Sequence, residues 1–123
     1  MNLRDYYLKI ESLLKDFSLI THFSIEFEEV TAYIGYLKGK LEFMNGSILY
    51  FFEFVEVQND APVLVKYKYQ WQSSEGKLLK RWDNAPHHKE LDTFPDHVHD
   101  SNGVYPAPSM NLELVLNKGL NLE

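Results

Sequence analysis

The fold is decided by residues 41–50, which read LEFMNGSILY. Asn45-Gly46 separates two runs rich in large apolar side chains. Both residues of this pair tolerate positive φ, as the type I′ turn of a tight β-hairpin requires. We therefore predict that a strand ending at Met44 pairs antiparallel with a strand over residues 47–57, and that the chain on either side extends this hairpin into a sheet.

Alternating apolar and polar residues predict further strands on both sides of the hairpin. Phe23, Ile25 and Phe27 alternate with polar residues before it, and the first hairpin strand itself begins near residue 32. After it, residues 63–72 alternate large apolar side chains with lysines, and a turn then leads into residues 77–83. The expected sheet is a meander of four to five strands.

The N-terminal residues predict a helix over residues 3–16. Asn2 is a suitable N-cap and Asp5 lies in the first turn, where a negative charge is favourable. One apolar stripe at three- and four-residue spacing supports the helix; it consists of Leu3, Tyr6, Tyr7, Ile10, Leu13, Leu14 and Phe17. Near the end of the chain, Ser109 is a suitable cap for a short helix that stops at Gly119.

After Asn84 the chain has no periodicity, and four prolines exclude a long helix or a central strand. The predicted fold class is therefore α+β. An N-terminal helix packs on a four- to five-stranded, curled antiparallel meander sheet, with a proline/histidine-rich loop and a short C-terminal helix. A chain of 123 residues fits a single domain over 1–123.

Composition limits the functional classes. The chain has no cysteine, which excludes disulfides and thiolate chemistry, and no long apolar run, so we expect a cytoplasmic protein without membrane contact. The net charge is −6 at pH 7, but residues 63–91 carry six basic and three acidic side chains. This part of the chain could bind phosphate while the remainder repels it.

Histidines are concentrated in one short segment: His87, His88, His97 and His99 lie within 13 residues. Imidazole titrates near neutral pH, so it can take a proton from a ribose 2′-hydroxyl or protonate a leaving 5′-oxygen. These four histidines are the predicted catalytic residues of a metal-independent ribonuclease. The predicted substrate-binding residues are phosphate contacts and stacking rings: Lys68, Lys80, Arg81, Tyr69 and Trp82.

Two other interpretations of the segment stay open. His97 and His99, two residues apart on an extended strand, would project to one side and could bind a divalent metal with His87, His88 or an aspartate. That arrangement would give a metal-dependent nuclease. Alternatively, the histidines are structural and hydrogen-bond backbone groups in a loop, and the protein is a non-catalytic module that binds protein or nucleic acid.

Several motifs resemble the TumE-type toxins of bacterial toxin–antitoxin pairs. The most specific is Arg81-Trp82-Asp83-Asn84-Ala85-Pro86-His87-His88, followed by Thr93-Phe94-Pro95 and the His97-x-His99 pair. The resemblance implies a small cytoplasmic toxin whose partner is a cognate antitoxin with a DNA-binding domain. We expect RNA as the substrate, no cofactor and no metal, and the sequence is also compatible with a homodimer.

Overall fold

The computed structural model describes residues 1–122, and its main element is one antiparallel sheet. Within these residues the sheet has seven strands in sequence order. The strands are β1 (Ile20–Glu29), β2 (Ile34–Phe43), β3 (Ile48–Gln58), β4 (Ala61–Gln72), β5 (Leu78–Asp83), β6 (His97–Asp100) and β7 (Gly103–Pro106). The antiparallel meander and the α+β class are confirmed.

The predicted number of four to five strands was wrong. Strands β6 and β7 lie in the region predicted as loop, and each has only four residues. Such short strands give too few residues for a period of two to be recognised, and Pro106 at the end of β7 argued against a strand. The pairing of β5 with β6 matters most, because it carries two of the histidines into the sheet.

The N-terminal helix α1 (Leu3–Asp16) has the predicted bounds. The side chain of Asn2 accepts a hydrogen bond from the Asp5 backbone N–H at 2.9 Å, and Asp5 accepts one from the Asn2 N–H at 3.0 Å. This reciprocal capping box satisfies two donors at the helix start. The helix contacts β1, β2 and β3, with Leu3, Ile10 and Leu14 buried against the sheet.

The hairpin between β2 and β3 is confirmed, but its turn is not type I′. Gly46 has positive φ (86°) whereas Asn45 does not. The Asn45 side chain instead accepts hydrogen bonds from the Ser47 backbone N–H (2.9 Å) and hydroxyl (2.6 Å). Positive φ at two successive residues, which type I′ needs, occurs at Asn59 and Asp60 between β3 and β4.

A short helix closes the chain, as predicted, although its cap is Asn111 and not Ser109. Helix α2 (Leu112–Leu114) continues into a π-helical turn over Val115–Gly119. A Cβ atom added to Gly119 would lie 2.9 Å from the Trp82 ring, so this glycine lets the turn pack directly on the tryptophan. The C-terminal segment therefore covers the end of the core.

The sheet has two chemically different faces. The inner face, which α1 and the C-terminal turn cover, is the core; on β2 to β4 its buried residues include Leu37, Leu41, Phe43, Leu49, Phe51, Glu53, Val55, Tyr67, Tyr69 and Trp71. The outer face consists of the residues that alternate with them. Among residues 1–122, no helix has the length and apolar character that crossing a membrane would need.

Candidate functional site

Three histidine rings converge on the outer face at the β5–β6 end of the sheet. His88, His97 and His99 each contribute one ring nitrogen to a group in which all three nitrogens lie within 4.8 Å of one another. The ring centroids of His97 and His99 are 4.8 Å apart, and that of His88 lies 5.3 Å from the first and 5.7 Å from the second. We call these three residues the histidine cluster.

Strand pairing positions two members of the cluster. In β6, His97 pairs with Asp83 of β5, and His99 pairs with Arg81. Side chains two residues apart on a strand point to the same face, so His97, His99, Arg81 and Asp83 form one four-residue patch. The His-x-His spacing therefore places both rings on one face, and the register of β5 and β6 places that face beside Arg81 and Asp83.

The third histidine reaches the patch through the connection between β5 and β6. Just after β5, the Asn84 side chain takes the place of a neighbouring strand's backbone in hydrogen bonding to β4. It accepts from the Tyr67 N–H at 2.9 Å and donates to the Val65 carbonyl at 3.0 Å. The chain then turns, and His88 adopts a left-handed backbone with φ of 60°. This conformation is uncommon outside glycine, and it directs the His88 ring towards the other two.

The far part of this connection is hydrogen-bonded to the core and to Ala107, the residue that follows β7. The Thr93 hydroxyl donates to the Asp96 carbonyl at 2.7 Å and accepts from the Ala107 N–H at 3.2 Å. Asp96 accepts a hydrogen bond from the Tyr67 hydroxyl at 2.5 Å. Burial, followed by the interactions with Asp96, raises the pKa of Tyr67 far above its ordinary value, so this phenol stays protonated and keeps donating.

Asp83 is the buried acid of the patch. Its Oδ1 lies 2.9 Å from His97 Nε2 and accepts from the Ala85 N–H at 3.1 Å, while its Oδ2 accepts from Arg81 Nε at 3.2 Å. His99 Nε2 lies further away, at 3.7 Å from Oδ2. The carboxylate is thus held by two strands and by the chain that follows β5.

His97 is almost fully buried, at 2% exposure, and both of its nitrogens face acceptors. Nδ1 lies 2.9 Å from the Pro95 carbonyl oxygen and Nε2 lies 2.9 Å from the Asp83 carboxylate. Each ring nitrogen therefore has an acceptor within hydrogen-bonding distance. These two contacts fix the His97 ring at the centre of the cluster.

His99 and His88 are more accessible. Burial, and next the nearby Arg81 guanidinium, lower the pKa of His99 below its ordinary value, so this ring is neutral at neutral pH. His88 Nδ1 lies 3.3 Å from a carboxylate oxygen of the exposed Glu90. The two rings therefore present accessible nitrogens beside the buried His97–Asp83 contact.

The cluster opens into a groove of about 780 Å³ on the outer face. Its cationic walls come from Lys66, Lys68 and Arg81, and its apolar walls include Phe52 and Phe94. Among residues 1–122, Asp83 is the one carboxylate that lines this groove, and it is already engaged by Arg81 and His97. Although the whole chain is acidic, the groove favours an anion such as phosphate.

Comparison with known families adds one finding. The sequence model of the family described as Toxin TumE matches residues 10–119 of the 123-residue chain. The chain belongs to the TumE toxin family. This confirms the resemblance carried by the histidine segment, and a toxin family of this kind implies a cognate antitoxin as partner. Neither the curated proteins nor the solved structures include a match to the chain.

In this TumE chain, the predicted site residues fall into two groups. The groove is lined by all four predicted catalytic histidines and by two predicted phosphate contacts: His87, His88, His97, His99, Lys68 and Arg81. His87 is exposed and lies outside the histidine cluster. Within the cluster, His97 is the buried ring and the other two reach the groove.

The remaining predicted residues lie on the other face of the sheet. Tyr69 is 0% exposed and Trp82 is 5% exposed, so neither ring has a free face on which a base could stack. Lys80 lies beside Trp82, with its Nζ 5.8 Å from the ring centroid, and does not line the groove. Adjacent strand residues point to opposite faces, so Tyr69 cannot share a site with Lys68, nor Trp82 with Arg81.

Among the groove residues that sequence reasoning did not assign to the site, three could contact substrate. Asp83 shares a face with Arg81, two residues earlier in β5, and this alternation could have identified it. Lys66 follows from the same alternation around Lys68. Phe52 pairs with Lys68 across β3 and β4. This pairing depends on a register that shifts at a bulge after Phe54, so it could not be predicted from the sequence of either strand alone.

Proposed function

We propose that this TumE-family chain is the toxin of a toxin–antitoxin pair and that it cleaves RNA by metal-free acid–base catalysis in the groove. The observation that carries the proposal is the convergence of three imidazoles on one solvent-reachable patch beside Arg81 and Lys68. Proton transfer and charge neutralisation are the two requirements of this reaction, and the patch has groups for both.

His99 is the proposed general base. A base must be unprotonated to accept a proton, and the lowered pKa of His99 keeps it so at neutral pH. It would take the proton of a ribose 2′-hydroxyl as the 2′-oxygen attacks phosphorus. The new O2′–P bond forms while the P–O5′ bond breaks.

His88 is the proposed general acid. Its ring centroid lies 5.7 Å from that of His99, which leaves the two rings on neighbouring sides of one phosphate. A proton from His88 would pass to the departing 5′-oxygen. The products are a 2′,3′-cyclic phosphate and a 5′-hydroxyl, so His88 ends unprotonated, His99 ends protonated, and water restores both.

His97 and Asp83 are proposed as positioning residues. Their contact is buried and, with the Pro95 carbonyl, leaves no free His97 nitrogen for substrate, but it fixes the strand edge that carries His99. Arg81 uses only Nε to bind Asp83, which leaves the four N–H donors of its two terminal nitrogens for phosphate. Lys68 supplies a second positive charge from the neighbouring strand.

The test uses purified chain, end-labelled RNA and EDTA. We expect cleavage that persists in EDTA and falls by about 10²–10⁴-fold in His99→Ala and in His88→Ala. His22→Ala is the matched control, because His22 is an exposed histidine on β1 outside the groove. Equal cleavage by His99→Ala and His22→Ala would contradict the proposal, and a folded wild-type chain without cleavage would favour the non-catalytic binding module.

A second candidate, a metal-dependent nuclease, is favoured by the orientation of two rings. The Nδ1 atoms of His97 and His88 face a carbonyl and a carboxylate, as they do in histidines that bind metal through Nε2. Three imidazoles with an open position would suit zinc, and bound zinc would lower the pKa of a water molecule. His97 Nε2, the nitrogen that would bind the metal, already faces Asp83 Oδ1 at 2.9 Å, and the neighbouring cations also make this arrangement less favourable.

Chelation separates the two candidates. Loss of cleavage in EDTA, with recovery when zinc is returned, would support the metal-dependent reaction and overturn the metal-free one. The antitoxin's DNA-binding domain, a homodimer and the cytoplasmic location stay predictions. Size-exclusion chromatography of the purified chain tests the homodimer, and DNA binding by a co-purified antitoxin tests its DNA-binding domain.

A further inference from the structure

The outer face of β2, β3 and β4 carries aromatic rings and lysines in alternation, between the acidic strand β1 and the groove. Its rings and cations are Tyr36, Tyr50, Phe52, Phe54, Lys38, Lys40, Lys66 and Lys68. We call this set the aromatic–lysine face. In the core of a sheet such rings would be buried, but here Tyr50 is 40% exposed.

The strand register connects this face to the histidine cluster. One cross-strand row runs from Lys38 through Phe52, Lys68 and Asp83 to His97. The next row runs from Lys40 through Tyr50, Gln70 and Arg81 to His99. Each row crosses five strands, or about 19 Å at ordinary strand spacing. Both rows lead into the patch proposed for catalysis.

The surface along these rows is continuous. A shallow depression of about 390 Å³ is lined by Lys38, Tyr50, Phe52 and Lys68 among others. Phe52 and Lys68 also line the groove of the histidine cluster, so these two residues join the depression to the groove. A ligand longer than one phosphate could occupy both.

Rings and cations of this face lie against each other. Lys38, Lys40 and Lys66 lie 5.6, 5.9 and 5.7 Å from the ring centroids of Tyr36, Tyr50 and Phe54. Such contacts hold ammonium groups beside ring faces, which is the combination that binds phosphates and stacked bases of single strands. Isolated surface lysines would give charge without a stacking platform.

Acidic groups of the outer face lie mainly at its margins. Glu26 and Glu28 lie on β1, and the Tyr36 hydroxyl donates to Glu28. Glu42 lies near the end of β2, 3.4 Å from Lys40. A polyanion that follows the central rows therefore meets lysines in the middle and is repelled at the β1 edge, which defines the direction of the path.

We propose that the aromatic–lysine face binds single-stranded RNA and directs it to the histidine cluster. Lysines contact consecutive phosphates, and the rings of Tyr50 and Phe52 stack with bases. The inference rests on the proposed function for its substrate, but binding does not require cleavage. An antitoxin on the same face is the competing occupant, and the charge of the face favours the polyanion.

The test is fluorescence anisotropy of a labelled eight-nucleotide uridine RNA with a His99→Ala chain. Under the proposed mechanism the His99→Ala chain binds RNA without cleaving it. The binding measurement therefore stays valid even if the wild-type chain proves to have no nuclease activity. We expect the double substitution Lys38→Glu and Lys40→Glu to weaken binding at least tenfold. It should also reduce the slope of log affinity against log salt by about 1.4, because two phosphate contacts are lost.

The matched control reverses the charge of two lysines on α1, which lies on the opposite side of the sheet. Lys9→Glu with Lys15→Glu changes the net charge of the chain equally but on exposed positions of α1. Tyr50→Leu and Phe52→Leu keep apolar volume and remove the ring, and each should weaken binding about fivefold or more. Thermal melting identifies any variant that does not fold, and Tyr50→Leu, at an exposed position, is the variant best able to retain the fold.

Equal loss of affinity in the α1 control and in the outer-face variant would overturn the inference, because only total charge would matter. Unchanged RNA affinity in folded Lys38→Glu, Lys40→Glu and Tyr50→Leu chains would also overturn it. If those variants lose a co-expressed antitoxin and keep RNA, the face is a protein interface and the RNA assignment is wrong.

Discussion

Two buried carboxylates, Glu53 on the inner face and Asp83 on the outer face, show how the same chemical group serves different purposes. Glu53 is 0% exposed and accepts from the hydroxyls of Tyr6 (2.5 Å) and Tyr69 (2.6 Å). Asp83 is bound by Arg81 and His97. Two phenol donors join Glu53, on β3, to α1 and to β4, whereas a guanidinium and an imidazole bind Asp83 beside an open groove.

The difference lies in what surrounds each acid. Burial raises the pKa of Glu53, and the two phenols oppose this only in part; near this acid, burial also raises the pKa of both tyrosines. Glu53 is therefore a clamp between α1 and the sheet. Asp83 lies where protons and phosphate can approach, so its neighbours are the residues that we expect to act on substrate.

The largest expected effect is a loss of RNA cleavage when Asp83, but not Glu53, is replaced. Asp83→Asn should lower RNA cleavage by about 10²-fold or more, because the partner that orients His97 and Arg81 loses its charge. Glu53→Gln should leave cleavage per folded molecule within about twofold. The measurement is initial cleavage rate at equal folded concentration, and equal losses in both variants would contradict the division into site acid and clamp.

The next effect is on the free energy of unfolding, where replacement of Glu53 has the larger consequence. Glu53→Ala leaves the Tyr6 and Tyr69 hydroxyls unpaired beside a new cavity, so we expect a loss of about 2–4 kcal/mol in the free energy of unfolding. Urea denaturation monitored by tryptophan fluorescence measures it. A loss under about 1 kcal/mol would mean that the clamp contributes little to holding α1 on the sheet.

A smaller loss is expected when one donor of the clamp is removed. Tyr6→Phe should lower the free energy of unfolding by about 1 kcal/mol, since Glu53 keeps only Tyr69. The matched control is Tyr7→Phe, whose half-buried hydroxyl bonds to Glu11 within the same helix. That control should stay within about 0.5 kcal/mol of wild type. The comparison fails if both variants melt alike.

The smallest expected effect is a shift in pH dependence. Because the pKa of His99 is lowered, this base stays unprotonated as the pH falls below about 6.5, and the acidic limb of kcat/KM should lie below that value. Arg81→Gln removes a charge that lowers this pKa and should move the limb upward. Values of kcat/KM between pH 4.5 and 8 measure this shift. If the acidic limb does not move in Arg81→Gln, the group that titrates in it is not His99.

Much of the fold follows from local patterns in the sequence. The capping box, the apolar stripe of α1 and the period-two strands act over a few residues, so their effect is readable before the fold is known. Strands β6 and β7 gain their conformation from pairing with β5 and with each other. Short segments of this kind depend on tertiary partners and could not be predicted from their own residues.

The candidate site was predictable in composition but only partly in geometry. Clustering of histidines pointed to a segment whose rings line one groove, and the His97-x-His99 spacing correctly indicated a shared side. Tyr69 and Trp82 were assigned by residue type, although their adjacent partners Lys68 and Arg81 already required opposite faces. The left-handed turn at His88 and the Asp83–His97 register needed the folded chain.

The most direct test of the central claim is the identity of the RNA ends made in EDTA. Purified wild-type chain is incubated with a defined single-stranded RNA and the fragments are analysed by mass spectrometry, with the His88→Ala/His99→Ala chain in parallel. Metal-free catalysis by the histidine cluster predicts 2′,3′-cyclic phosphate and 5′-hydroxyl ends that the double variant does not make. Fragments with 5′-phosphate ends, or intact RNA with a folded chain, would contradict it.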